Sequence, residues 1–117
     1  MIKLIALFVF SGFVIGLTAQ PAWAEAGDPV KGKAIYEKLC ITCHGAQGKG
    51  DGPAGKMMMP PAADLTSPKI KSKPDSDWLQ AIRNGRPPTT MPAFKGQLSE
   101  QQIYDVLTYV RGLGKQG

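Results

Sequence analysis

The chain has 117 residues, 43% hydrophobic and 20% charged, with a formal net charge of +5. That composition suits one small globular domain and excludes a disordered tail and a multidomain enzyme. Gly 14 and Pro 10 without a triplet period indicate long structured loops rather than collagen or a linker.

The N-terminus reads as a targeting segment. Lys3 gives a positive start, residues 4–19 form an apolar run, and Ala22-Trp23-Ala24 is a small-x-small cleavage signal. A secretory signal peptide is expected over residues 1–24, ahead of a mature domain over 25–117. The run is short for a spanning helix, so an uncleaved anchor is the weaker reading and no stable membrane insertion is expected after cleavage. Export to the periplasm follows. Cleavage after Ala24 leaves 93 residues with a formal charge of +4. A chain that short usually gains from a disulfide, a metal or a large cofactor.

In the mature chain, Asp28-Pro29 predicts a helix start, with Val30, Ala34 and Leu39 at near-helical spacing up to Cys40. Residues 45–72 are rich in glycine and proline, lack a sustained apolar period, and read as loop. A short helix is expected over 74–85, with Asp75 or Ser76 as cap, Trp78, Leu79 and Ile82 apolar, and a glycine stop. After a second irregular stretch, Ser99 and Gln102 form a capping box, Leu98 and Ile103 a hydrophobic staple, and Ile103, Val106, Leu107 and Val110 one apolar stripe. No segment alternates over strand length, so the expected fold class is all-α. Loops this long between so few helices need something bulky to wrap.

Both cysteines and the only histidine fall in Cys40-Ile41-Thr42-Cys43-His44. In C-x-x-C-H, two thiols can add to the vinyl groups of a haem while the adjacent imidazole reaches its iron. Three rivals are weaker. A Cys40–Cys43 disulfide closes too small a loop to stabilise much; a thioredoxin-like pair wants a strand before it; and zinc lacks a fourth protein ligand.

On this motif, together with Gly32 and Tyr36 eight and four residues before Cys40, and Val106, Tyr109 and Val110 near the C-terminus, the sequence resembles the small class I c-type cytochromes over most of residues 28–113. The resemblance implies a cytochrome c fold, with terminal helices crossing and loops wrapped around one covalent haem c. It also implies a distal-ligand loop, which Thr89-Thr90-Met91-Pro92 matches. With His44 as proximal axial ligand, methionine is the remaining soft donor, and Met57, Met58, Met59 and Met91 are the mature candidates. Met91 is the expected ligand; Pro92 biases it toward an extended conformation. The triplet 57–59 otherwise reads as packing against the porphyrin or as an exposed apolar patch. The family orients its proximal imidazole with a backbone carbonyl, for which Pro53 is favoured over Pro60 and Pro61. Trp78 is either a haem-propionate donor or an apolar anchor.

A haem closed by His and Met has no position for substrate, so the expected function is electron transfer and not catalysis. The alternatives are a haem subunit of a periplasmic oxidoreductase, and a peroxidase-like or gas-binding protein with an open distal site. Lys69, Lys71 and Lys73 in one loop, with Arg83, Arg86 and Lys95 in segments that should border the cleft, either favour redox partners with acidic docking surfaces or form a solvated face partly neutralised by Asp75 and Asp77. Nucleic acid is not an expected partner: roughly two of the positive charges are cancelled by the propionates, and no reading motif is present.

Overall fold

The computed structural model describes residues 26–115 together with Gly12 and Gly16; the expected signal peptide otherwise lies outside the described residues. Among the described residues there is no strand. The helices are α1 (Pro29–Leu39), α2 (Ile41–His44), α3 (Pro68–Lys71), α4 (Asp75–Asn84) and α5 (Glu100–Gly112), with one 3-10 turn over Gly55–Met57.

Helix α1 starts as the sequence predicts. The Asp28 carboxylate accepts from the backbone N–H of Val30 at 2.8 Å, and Pro29 takes the first helical position, where no donor is missed. Its inward face is that of Gly32 and Tyr36, as the family resemblance implies, and not that of Val30 and Ala34, which the apolar spacing alone suggests. Gly32 and Tyr36 are buried, Ile35 and Leu39 partly so, while Ala34 is exposed and Val30 is 77% exposed. The side that packs is the side without a side chain: a Cβ on Gly32 would lie 2.5 Å from the carbonyl carbon of Asp105 and 2.9 Å from Tyr109 Cβ. Backbone therefore meets backbone where α1 crosses α5. One turn on, the Tyr36 and Tyr109 rings pack tilted at 57°, with centroids 5.2 Å apart.

Helix α5 carries the predicted capping box. Gln102 N–H donates to Ser99 Oγ at 3.2 Å, and Ser99 N–H donates to Gln102 Oε1 at 2.9 Å. Ile103, Val106, Leu107 and Val110 are all buried, and with Tyr36, Trp78, Leu79, Ile82 and Phe94 they make the core. Ser99→Ala removes one half of the box and should cost about 1 kcal/mol, read as a lower urea midpoint with an unchanged slope.

Helix α4 packs on α5, and its start differs from expectation. Pro74 is the N-cap and no side chain caps the helix. Asp75 is already helical, and its carboxylate accepts from Arg111 Nε at 2.7 Å, so the expected cap is spent on a contact to α5. At the other end, Arg83 Nη2 meets Glu100 Oε2 at 2.6 Å and fastens α4 to the start of α5. The stretch read as loop also contains α3. Ser67 caps it, and Arg111 Nη1 donates to the Lys71 carbonyl at 2.9 Å. Four residues cannot show a helical period, and tertiary contacts decide their conformation.

Candidate functional site

Helix α2 is the C-x-x-C-H segment itself, set against the end of α1. His44 N–H donates to the Cys40 carbonyl at 2.9 Å, and the buried Tyr36 hydroxyl donates to the Gly45 carbonyl at 2.6 Å. Gly45, at φ +80, turns the chain sharply off the helix. The glycine-rich segment then folds back over the carbonyls that end α2. Ala54 N–H reaches Thr42 O at 3.1 Å, Gly52 N–H reaches Cys43 O at 3.2 Å, and Gly50 N–H reaches His44 O at 2.8 Å. This local need, rather than flexibility, explains the glycines.

The carbonyl facing the His44 ring is that of Ala63, 3.0 Å from Nδ1, and not that of Pro53 as the sequence suggested. Residue 53 lies between Gly52 and Ala54, in the turn that caps α2. The chain returns beside the ring only after Ala62 N–H has bonded Gly55 O at 3.2 Å and before Leu65 N–H bonds Gly48 O at 2.6 Å. The carbonyl fixes the tautomer with the proton on Nδ1 and leaves Nε2 as a lone-pair donor. Burial pushes the His44 pKa down, against the opposite pull of the Ala63 carbonyl, which favours the neutral, ligating ring.

Cys40 and Cys43 are half-buried and not joined as a disulfide. Burial, then the neighbouring Cys43, pushes the Cys40 thiol up to about 11. A thioredoxin-like pair requires the opposite shift, so that rival loses its chemistry.

Across from the motif, Met91 is held by the end of α4. Gly85, at φ +68, turns the chain so closely under the next loop that a Cβ would lie 2.8 Å from the carbonyl carbon of Pro92. Arg86 N–H donates to Met91 O at 3.2 Å, and Phe94 N–H donates to Ile82 O at 3.0 Å. Phe94 is buried in the core and pins the far side of the loop.

Between the two segments lies a cavity of about 560 Å³, within the roughly 300–1,000 Å³ of ligand pockets. Cys40, Cys43, His44 and Met91 all line it, so residues 47 or more positions apart in sequence share one chamber. Of the methionine triplet only Met58 lines it; Met57 and Met59 are 80% and 89% exposed. Trp78 is part of the wall, and its buried Nε1 has no hydrogen-bond partner among the described residues. An unsatisfied buried donor costs about 1–3 kcal/mol, which an acceptor on a bound group would relieve. Two thiols, a neutral imidazole, a thioether and an orphaned indole N–H around an apolar chamber fit a haem with its two vinyls, its iron and its carboxylates.

The expected basic rim is narrower than the sequence suggests. Lys73 and Arg86 line the cavity, with Lys73 Nζ 3.7 Å from Asp77 Oδ2. Lys71 Nζ instead donates to the Val110 and Arg111 carbonyls at 3.0 Å each, and Arg83 is paired with Glu100.

The crossed helices and this chamber define a c-type cytochrome. The chain belongs to the cytochrome c family, whose model matches residues 29–114. It is 36% identical to cytochrome c6 of Nostoc sp. over 94% of this chain and 93% of that protein. It is 29% identical to the CcoP subunit of the cbb3-type cytochrome c oxidase of Azospirillum sp., spanning 87% of this chain and 33% of that subunit. Its fold matches that of cytochrome c6 from the diatom Phaeodactylum tricornutum with a TM-score of 0.60 at 24% identity, over 76% of this chain and 97% of that one. The cofactor is covalent haem c, and the function is electron transfer.

Proposed function

We propose that the protein is an exported, freestanding electron carrier in which Cys40 and Cys43 hold haem c as thioethers while His44 and Met91 close both axial positions. The observation carrying this reading is that these four residues line one cavity. The group, when bound, supplies a one-electron iron couple. The protein's own contribution is binding and exclusion. The Ala63 carbonyl orients His44, the bonds from Arg86 and Phe94 hold the Met91 loop against α4, and the apolar walls would exclude water once the group fills the chamber. With both axial positions taken by protein no substrate site remains, which supports a carrier over an enzyme.

The same reading takes residues 1–24 as a signal peptide, 25–117 as the mature domain, and the periplasm as its compartment. No helix among the described residues is long and apolar enough to cross a membrane. Lys73 and Arg86 at the cavity favour redox partners with acidic docking surfaces. A second reading, a haem subunit within an oxidoreductase, is favoured by the similarity to the oxidase subunit. The two separate by whether the purified protein elutes as a monomer from its native source or with larger partners.

The decisive experiment is the visible spectrum of the mature protein beside Met91→Ala. A low-spin wild type whose weak far-red thioether-to-iron band disappears in the variant is expected. A high-spin wild type that binds carbon monoxide readily overturns axial closure and supports the open-site alternative.

A further inference from the structure

Trp78 stands in the cavity wall and is 6% exposed. Two cations lie over its ring, and neither is among the residues that line the cavity. The Arg111 guanidinium carbon is 4.9 Å from the ring centroid and Lys71 Nζ is 5.9 Å from it. Both are fixed in place. Arg111 donates through Nε to Asp75 at 2.7 Å, through Nη1 to the Lys71 carbonyl at 2.9 Å, and through Nη2 to the Lys73 carbonyl at 2.7 Å. Its side chain is 25% exposed, whereas its counter-charge Asp75 is 65% exposed. The positive charge is therefore held in the protein while the negative one is largely solvated, and a net positive field remains behind the indole.

We propose that Arg111, stacked on Trp78 and partly balanced by Asp75, is a positioning residue that raises the midpoint potential of the haem in the cavity. The inference rests on the reading of that cavity as the haem site. Oxidation adds one positive charge at the iron, and a fixed cation behind one wall opposes it, favouring Fe(II). The cation stack also holds the indole against rotation. Asp75 acts with the opposite sign.

The test is spectroelectrochemistry of the mature, haem-loaded protein with Arg111→Met, Arg111→Lys and Asp75→Asn, alongside urea unfolding. At the wild-type midpoint, Arg111→Met should shift the Fe(III)/Fe(II) ratio about threefold toward Fe(III), about 28 mV at 59 mV per decade for one electron. Asp75→Asn should shift it the other way, and Arg111→Lys should retain the wild-type value. Both Arg111→Met and Asp75→Asn loosen the same clamp and should lower the unfolding midpoint together. A purely structural role would then move both potentials in one direction, and that result, or unmoved potentials, overturns the proposal. If Arg111→Met does not fold, the sign for Asp75→Asn decides alone. A wild type without covalent haem overturns the reading of the cavity itself, before any variant is compared.

Discussion

Replacing Gly32 with valine is expected to cost the protein its native helix crossing. By helix propensity alone the position looks improvable, because glycine inside a helix is about 1 kcal/mol worse than alanine. The packing reverses the sign. A Cβ at Gly32 would run into the backbone of Asp105 and lie 2.9 Å from Tyr109 Cβ, and a backbone carbonyl inside α5 cannot rotate away as a flexible side chain can. The helices must separate, which unpacks the Tyr36–Tyr109 pair and strains the Tyr36 hydrogen bond to Gly45 that seats the C-x-x-C-H segment. Overpacking typically costs about 1–3 kcal/mol, and against a rigid backbone the upper end is expected, a large share of the roughly 5–15 kcal/mol a small domain has. Urea unfolding of the haem-loaded protein should show the midpoint fall sharply. Gly112→Ala is the control: among the described residues nothing beyond its own stretch of helix lies within 4 Å of the added Cβ, so it should be neutral or slightly stabilising. Equal effects at the two glycines would mean that propensity, and not the crossing, controls stability.

The contrast between these two glycines shows where the sequence is informative. Local chemistry reads directly. The Asp28 cap, the Ser99–Gln102 box and the stripe from Ile103 to Val110 each depend on residues within one or two turns, and each forms as predicted. The C-x-x-C-H motif is equally local. What distant parts of the chain decide does not read in the same way. Val30 fits the period of an inner face, yet it is exposed because α1 packs through Gly32 and Tyr36, which the family resemblance picks out and the apolar period does not. Asp75 has the chemistry of a cap, yet Arg111 from α5 takes its carboxylate. Lys71 looks like a docking charge, yet it donates to the last carbonyls of α5, and burial lowers its pKa. Ala63 could not be singled out because any residue has a carbonyl; only the path of the loop brings that one to His44.

The second large effect is expected from removing the Cys40 and Cys43 thiols, the proposed points of haem attachment. In a Cys40→Ala/Cys43→Ala variant His44 and Met91 remain, but haem is held by reversible bonds alone, and extraction into acidified organic solvent should strip the colour that the wild-type chain keeps. Either single variant should retain it through one thioether. The loss should then spread to the fold. The cavity is about 560 Å³, and at about 24 cal/mol per Å³ an empty space of that size corresponds to roughly 13 kcal/mol, an upper bound because this chamber opens to water. Even half of that rivals the whole stability of a domain this small. The residues bordering the chamber include Tyr36, Trp78, Ile82, Phe94, Val106 and Val110, so most of the core loses one side of its packing when the chamber is empty. The stripped variant should therefore lose much of its helical ellipticity, with α1 and α5 no longer held at a fixed crossing. Colour that stays with the double variant through extraction would show that these thiols do not carry the haem. A colourless variant with full helical content would show that the helix crossing, and not the haem, holds this fold together.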